Sequence, residues 1–243
     1  MSAEMEPETS NLKPRQTLVK ICGVSDPKHA RLAAACGADF IGMVFAPSRR
    51  QVTMGAGKRI AEALGKNGTH GVVEPRVDAI EAALAGRRPL LVGVFADQDS
   101  DTVNSIVAEC SLDLVQLSGS EPWEAVEHIA RPVLKCMKVR KGESAGQLSV
   151  HFRDTAIVLL DPFVAGTYGG TGTTLDWRVA AQIAESRPTV LAGGLTPANV
   201  CEAVRTVRPW AVDVSSGVET DGVKDPEKIR AFIAAAKAAG AGA

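Results

Sequence analysis

A chain of 243 residues, 45% hydrophobic and 23% charged, with a formal net charge of −1, has ordinary globular composition and room for two small domains or one large α/β barrel. The near-zero charge excludes a general attraction to nucleic acid or an anionic membrane, so an anionic ligand would need a local site. No apolar run approaches the ~20 residues of a membrane span, and five cysteines without a C-x-x-C pair or a nearby histidine pattern argue against a disulfide framework, a metal site or a redox dithiol.

In chain order, residues 1–16 (MSAEMEPETSNLKPRQ) are polar and lack the apolar core of a signal peptide. They read as a disordered N-terminal tail on a cytoplasmic protein. From residue 17 to 243 the pattern is that of a single domain. Apolar, strand-sized runs fall at 17–23, 39–46, 90–96, 112–118, 132–139, 156–162, 188–193 and 210–215, with amphipathic helical stretches between them. Asp26-Pro27, Thr196-Pro197 and Asp225-Pro226 each offer a capping oxygen followed by proline at the first helical position. One connection is too long: helix-to-strand loops usually take about 2–6 residues, whereas 65–88 intervenes before the third strand. Val77, Ile80 and Leu84 in it suggest a short extra helix, an insertion at the bottom face away from the chemistry. Cys36, Cys110 and Cys201 lie in helical patterns and Cys136 inside a strand, where they read as small buried hydrophobes. Cys22 differs because it closes a strand.

Eight apolar strands alternating with helices predict a parallel sheet closed into a (β/α)8 TIM barrel. The alternative is an open doubly wound sheet, which would carry its glycine fingerprint after the first strand. That turn here is CGVSDP, and the glycine-rich loops come late.

In such a barrel the reacting groups stand at the C-terminal strand ends. Strands 1 and 6 end at Cys22 and Asp161, on opposite sides of the mouth, where a proton acceptor and a proton donor suit an isomerisation. Lys20 shares the strand face of Cys22. It either favours the thiolate or pairs with an interior carboxylate while Cys22 fills space. Asp161 follows the apolar run AIVLL, whose burial favours the protonated acid, or it merely caps a turn before Pro162. The glycine-rich stretches GTYGGTG, LAGGL and VDVSSG follow strands 6, 7 and 8, and bare backbone amides there make a phosphate nest. Arg49 reads as a surface residue. Arg50 offers a planar fork for a carboxylate. Asp213 and Ser215 share one strand face, as do Gln116 and Ser118, with Gln116 read as a core hydrogen-bonding residue. The four histidines fall away from the mouth.

The segments VKICGVSDP, FIGMVFAPSRRQV, LVGVFADQ, LDLVQLSGSE, LLDPFVAGTYGGTGTTLDW, LAGGLTPANV and VDVSSGVET together resemble the phosphoribosylanthranilate isomerases, in order and over roughly residues 17–238. The resemblance implies an intramolecular oxidoreductase of tryptophan biosynthesis. It would carry out the Amadori rearrangement of N-(5-phosphoribosyl)anthranilate to 1-(2-carboxyphenylamino)-1-deoxyribulose 5-phosphate, without metal or cofactor, as a monomer or homodimer. It makes Cys22 the general base, Asp161 the general acid and Arg50 the carboxylate clamp. Gly170, Gly193, Gly194, Ser215 and Ser216 become the phosphate loops, and Asp213 a substrate-side aspartate. Three departures stand out. Ser118 replaces the family's usual histidine, and FAPSRR is about one residue short, which keeps Arg49 as the alternative clamp. The 65–88 insertion has no counterpart. Two other readings are an isomerase of the histidine-pathway ribonucleotide, which would use an aspartate pair, and a phosphate-binding sensor, which would need neither Cys22 nor Asp161.

Overall fold

The computed structural model describes residues 16–68, 76–163 and 175–240; the tail at 1–15, His70 with the rest of 69–75, and Gly170 lie outside the described residues. Strands β1 (Leu18–Cys22), β2 (Phe40–Val44), β3 (Leu90–Phe95), β4 (Leu114–Leu117), β5 (Val133–Val139), β6 (Ile157–Pro162), β7 (Thr189–Leu191) and β8 (Ala211–Val214) form one closed parallel barrel in sequence order. The open-sheet alternative is thereby excluded. Helices α1 (Pro27–Ala35), α2 (Met54–Ala63), α3 (Val77–Arg87), α4 (Ser100–Glu109), α5 (Ala145–Ser149), α6 (Trp177–Ala184), α7 (Val200–Val207) and α8 (Pro226–Gly240) are joined by a 3-10 stretch, Trp123–His128, after β4. A small antiparallel ribbon, β9 (Glu219–Thr220) and β10 (Val223–Lys224), stands beyond β8.

The strands are apolar on both faces because both are buried. Val19 and Ile21 of β1 join the layer under the helices, while Leu18 belongs to the interior cluster with Phe40, Leu90, Leu114 and Leu159. Lys20 and Cys22 continue the interior row at the period-2 spacing of a strand. Burying each such Leu or Phe contributes about 1.5–3 kcal/mol. Those interior layers make the barrel a packed core rather than a channel.

Helix α3 occupies residues 77–87. Its Ile80 and Leu84, one turn apart, are buried in the interior cluster with Leu18, Phe40, Leu90 and Trp210, and Glu81 accepts a 2.8 Å hydrogen bond from the Trp210 indole. This segment therefore floors the barrel at the N-terminal ends of β1, β2, β3 and β8, opposite the strand ends that carry Cys22 and Asp161.

Asp26 caps α1 by accepting from the Lys28 and His29 amides, and Asp225 accepts from Glu227 and Lys228 at the start of α8. The expected start of α7 at Thr196-Pro197 is corrected: the helix begins at Val200. The Asn199 side chain accepts from the Thr196 amide at 2.7 Å and donates to the Gly194 carbonyl at 3.0 Å. It ties residues 194–199 into a turn that binds the β7 loop.

Candidate active site

On one wall of the barrel mouth, parallel pairing sets Lys20 beside Asp213, and their side chains form a 3.0 Å ion pair buried on both sides. Cys22 follows at the mouth end of β1, in register with Gly42. A Cβ on Gly42 would meet the Cys22 sulfur at 2.9 Å and the Lys20 ammonium at 3.1 Å, so only a hydrogen there lets thiol and ammonium meet. Lys20 pairs with Asp213, as one of the two sequence readings expects, and its ammonium also lies against the space beside the Cys22 sulfur. Burial works against the Lys20 charge, yet Asp213 and Cys22 outweigh it and its pKa lies above the ordinary lysine value. For Cys22, burial and the Asp213 carboxylate push the thiol up while Lys20 and Lys224 pull it down. Burial prevails, so the resting group favours the thiol more than an exposed cysteine does. The cation is visible in the sequence; the desolvation that outweighs it comes only with the fold.

The opposite wall carries Asp161, buried at the end of β6. Its burial raises the pKa, Lys138 and Lys20 oppose that, Asp213 adds to it, and the net direction is upward. That upward direction is the one a general acid needs. Lys138 lies beside Asp161 in register, with its ammonium 2.5 Å from Oδ2. Cys136, two residues before Lys138 on the same strand face, is deep in the interior cluster, and burial drives its thiol up to about 12.

At the rim, Arg50 grips Glu219 through Nε at 2.6 Å and Nη2 at 2.8 Å. Arg49, more than half exposed, reaches the same carboxylate at 2.9 Å. Lys224 donates to Glu219 at 2.8 Å and to the Ser215 carbonyl at 2.9 Å. Burial opposes the Glu219 charge, but the bonds from Arg50 and Lys224 hold its carboxyl at about 2. Gly193 follows β7 with φ +85°, and a Cβ there would meet the Pro162 ring at 2.0 Å and Asp161 Oδ1 at 3.0 Å.

Cys22, Asp161, Arg50, Asp213 and the turns at Gly193–Gly194 and Ser215–Ser216 line one cavity of about 590 Å³. The family model described as N-(5'phosphoribosyl)anthranilate (PRA) isomerase matches residues 69–235. The N-(5'-phosphoribosyl)anthranilate isomerase of Roseiflexus castenholzii is 46% identical over 224 residues, 91% of this chain and 99% of that protein. The chain belongs to the phosphoribosylanthranilate isomerase family. A phosphoribosylanthranilate isomerase structure from Thermus thermophilus superposes with a TM-score of 0.72 at 34% identity, covering 90% of this chain and 98% of that one. Another isomerase of the family, solved with reduced 1-(O-carboxyphenylamino)-1-deoxyribulose 5-phosphate, gives 0.70 at 31% identity, covering 91% and 99%.

Within this isomerase-family barrel every expected site residue among the described ones opens on the same cavity; Gly170 lies outside the described residues. Ser118 accepts a 2.9 Å bond from Gln116, and both line the cavity. Gln116 is the buried hydrogen-bonding residue the sequence suggests, and its Oε1 has no hydrogen-bond partner among the described residues. Sequence reasoning missed three charged residues: Glu219, Lys224 and Lys138. Glu219 and Lys224 were legible only as polar residues after VDVSSG. Lys138 had a better signal, since C-x-K on an interior strand face sends an ammonium to the mouth.

Proposed function

We propose that this chain catalyses the Amadori rearrangement of N-(5-phosphoribosyl)anthranilate in tryptophan biosynthesis, with Cys22 as base and Asp161 as acid. The observation that carries this is the shared cavity, in which a thiol and a carboxyl meet an arginine rim and two glycine- or serine-lined turns. The substrate phosphate lies on the turn amides at Gly193–Gly194 and Ser215–Ser216. Its anthranilate carboxylate meets Arg50, whose Nε and Nη2 edge Glu219 already holds in place. Asp213 and the unpartnered Gln116 oxygen face the sugar between them.

Asp161 gives its proton to the furanose ring oxygen. The C1–O bond breaks, and the nitrogen lone pair forms the C1=N bond of an iminium. Cys22, as thiolate, takes the proton from C2, and the released pair closes a C1=C2 enolamine. Loss of the C2 hydroxyl proton and protonation of C1 then give the ketone. The iminium is the electron sink, and its positive charge joins Lys20 and Lys224 in favouring the thiolate that burial resists. Each proton-transfer group contributes about 10²–10⁴-fold in rate, and holding the substrate by its two anionic ends supplies the orientation.

The test is turnover of the fluorescent anthranilate ribonucleotide, followed as fluorescence loss. The parent protein converts it, while Cys22→Ala and Asp161→Asn each lose at least about 10²-fold in kcat with unchanged circular dichroism. Binding without turnover by the parent would instead mark a phosphate sensor. The same reading puts the enzyme in the cytoplasm, as a monomer or homodimer that sedimentation velocity distinguishes. Among the described residues no helix is long and apolar enough to cross a membrane.

A further inference from the structure

The Asp161 carboxyl presents its two oxygens to different neighbours. Oδ2 lies 2.5 Å from the Lys138 ammonium. Oδ1 is turned to the β7 side, where a side chain on Gly193 would come within 3.0 Å of it. Lys138 stands on β5 in register with Asp161 on the neighbouring strand, so the contact is built into the pairing of two strands and does not depend on a loop. Its side chain is four-fifths buried. Other titratable groups face Asp161 as well: Cys136 from β5, Asp213 from β8 and Lys20 from β1. Lys20 is already bonded to Asp213, and Cys136 lies deeper and stays protonated. Lys138 is thus the cation in direct contact with the carboxyl.

We propose that Lys138 is the positioning residue of the acid: it anchors Oδ2, aims Oδ1 into the cavity, and takes up the carboxylate charge left on Asp161 when the proton goes to the ring oxygen. In that step the Asp161 O–H bond breaks as the new O–H bond to the sugar forms, and the electron pair stays on the carboxylate. A fixed ammonium in a largely buried position stabilises that charge as it develops and needs little reorganisation. It does not touch the substrate.

The inference rests on Asp161 being the general acid, and the experiment separates the two. The pH profile of kcat/KM is recorded for the parent, Lys138→Met, Lys138→Arg and Asp161→Asn. The limb that Asp161→Asn abolishes belongs to the acid. In Lys138→Met that limb moves to higher pH by about one unit or more, because a carboxyl without its cation holds its proton more tightly. Its kcat, each enzyme taken at its own optimum, falls at least about tenfold, while KM stays within about threefold. Lys138→Arg, which keeps a cation at this partly open position, stays close to the parent in both. An unmoved limb and unchanged kcat in Lys138→Met overturn the proposal, as does a Lys138→Arg enzyme impaired to the same degree. Near-normal turnover by Asp161→Asn would instead remove the assignment of the acid itself.

Discussion

The two walls of the barrel mouth are built from the same three residue types in opposite order. On the β1–β8 wall the chain reads lysine then cysteine: Lys20 sits one layer down, bonded to Asp213, and Cys22 stands at the mouth. On the β5–β6 wall it reads cysteine then lysine: Cys136 is the deep residue, and Lys138 stands at the mouth against Asp161. In parallel strands whose chemistry lies at one end, the later residue of such a pair is the one nearer the cavity: Cys22 lines it directly, and Lys138 reaches it through Asp161. In the proposed mechanism the first order therefore sets a thiol backed by a cation, the base, against the cavity. The second exposes a carboxyl braced by a cation and leaves its thiol as packing. A barrel can thus separate acid from base by the direction in which one short motif runs.

The largest effect that would break this comparison is in the two cysteines. If depth decides their roles, Cys22→Ala loses about 10²–10⁴-fold in kcat, while Cys136→Ala keeps kcat within about threefold and costs about 1 kcal/mol of stability for the buried sulfur removed. Steady-state kinetics and thermal melts on both read this directly, and comparable kinetic losses would end the distinction. Gly42→Ala sharpens the first wall. Its methyl would press on the sulfur and the ammonium together, and a displacement of the base by a fraction of an ångström predicts a kcat loss of about 10- to 100-fold with little change in KM. An equally large rise in KM would mean that the methyl blocks the substrate instead.

The smallest effect concerns the rim next to that wall. The Glu219 carboxyl is held at about 2 in the folded protein, below the ~4.3 of an unfolded glutamate. Its pairing with Arg50 and Lys224 therefore contributes fully above about pH 4.3 and is lost as pH falls toward about 2. Glu219→Gln should lower Tm at pH 7 by about 2–4 °C, a modest shift because the amide oxygen can still accept from Arg50 or Lys224 once the charge is gone. The gap to the parent should close as pH falls through that window; a gap that stays constant would show that the loss is one of packing.

Much of this was legible in the sequence, for a physical reason. Strands buried on both faces announce themselves as apolar runs, and each of the eight barrel strands lies inside its expected range. Cys22 and Asp161 were readable as polar residues closing such runs. Contacts that depend on register between strands were not. Nothing in LKCMKV says that Lys138 will face Asp161, because that follows from the stagger of β5 against β6. Glu219 was hidden for a similar reason, since its partners lie 169 residues back, at Arg50, and on the ribbon strand β10. The displaced start of α7 is a local failure: Thr196-Pro197 looks like a cap, but the Asn199 side chain claims the Thr196 amide first.

The close approach of Gly193 to the Pro162 ring and the Asp161 carboxyl has an evolutionary side. In the proposed function the phosphate turn and the proton source are thus neighbours, separated by no more room than a side chain on Gly193 would need. On that reading the spacing sets the stretch of sugar held between the phosphate turn and the acid. Any drift toward new substrates has to start at the far edge, where Arg50, Glu219 and a two-stranded ribbon are free to be redrawn.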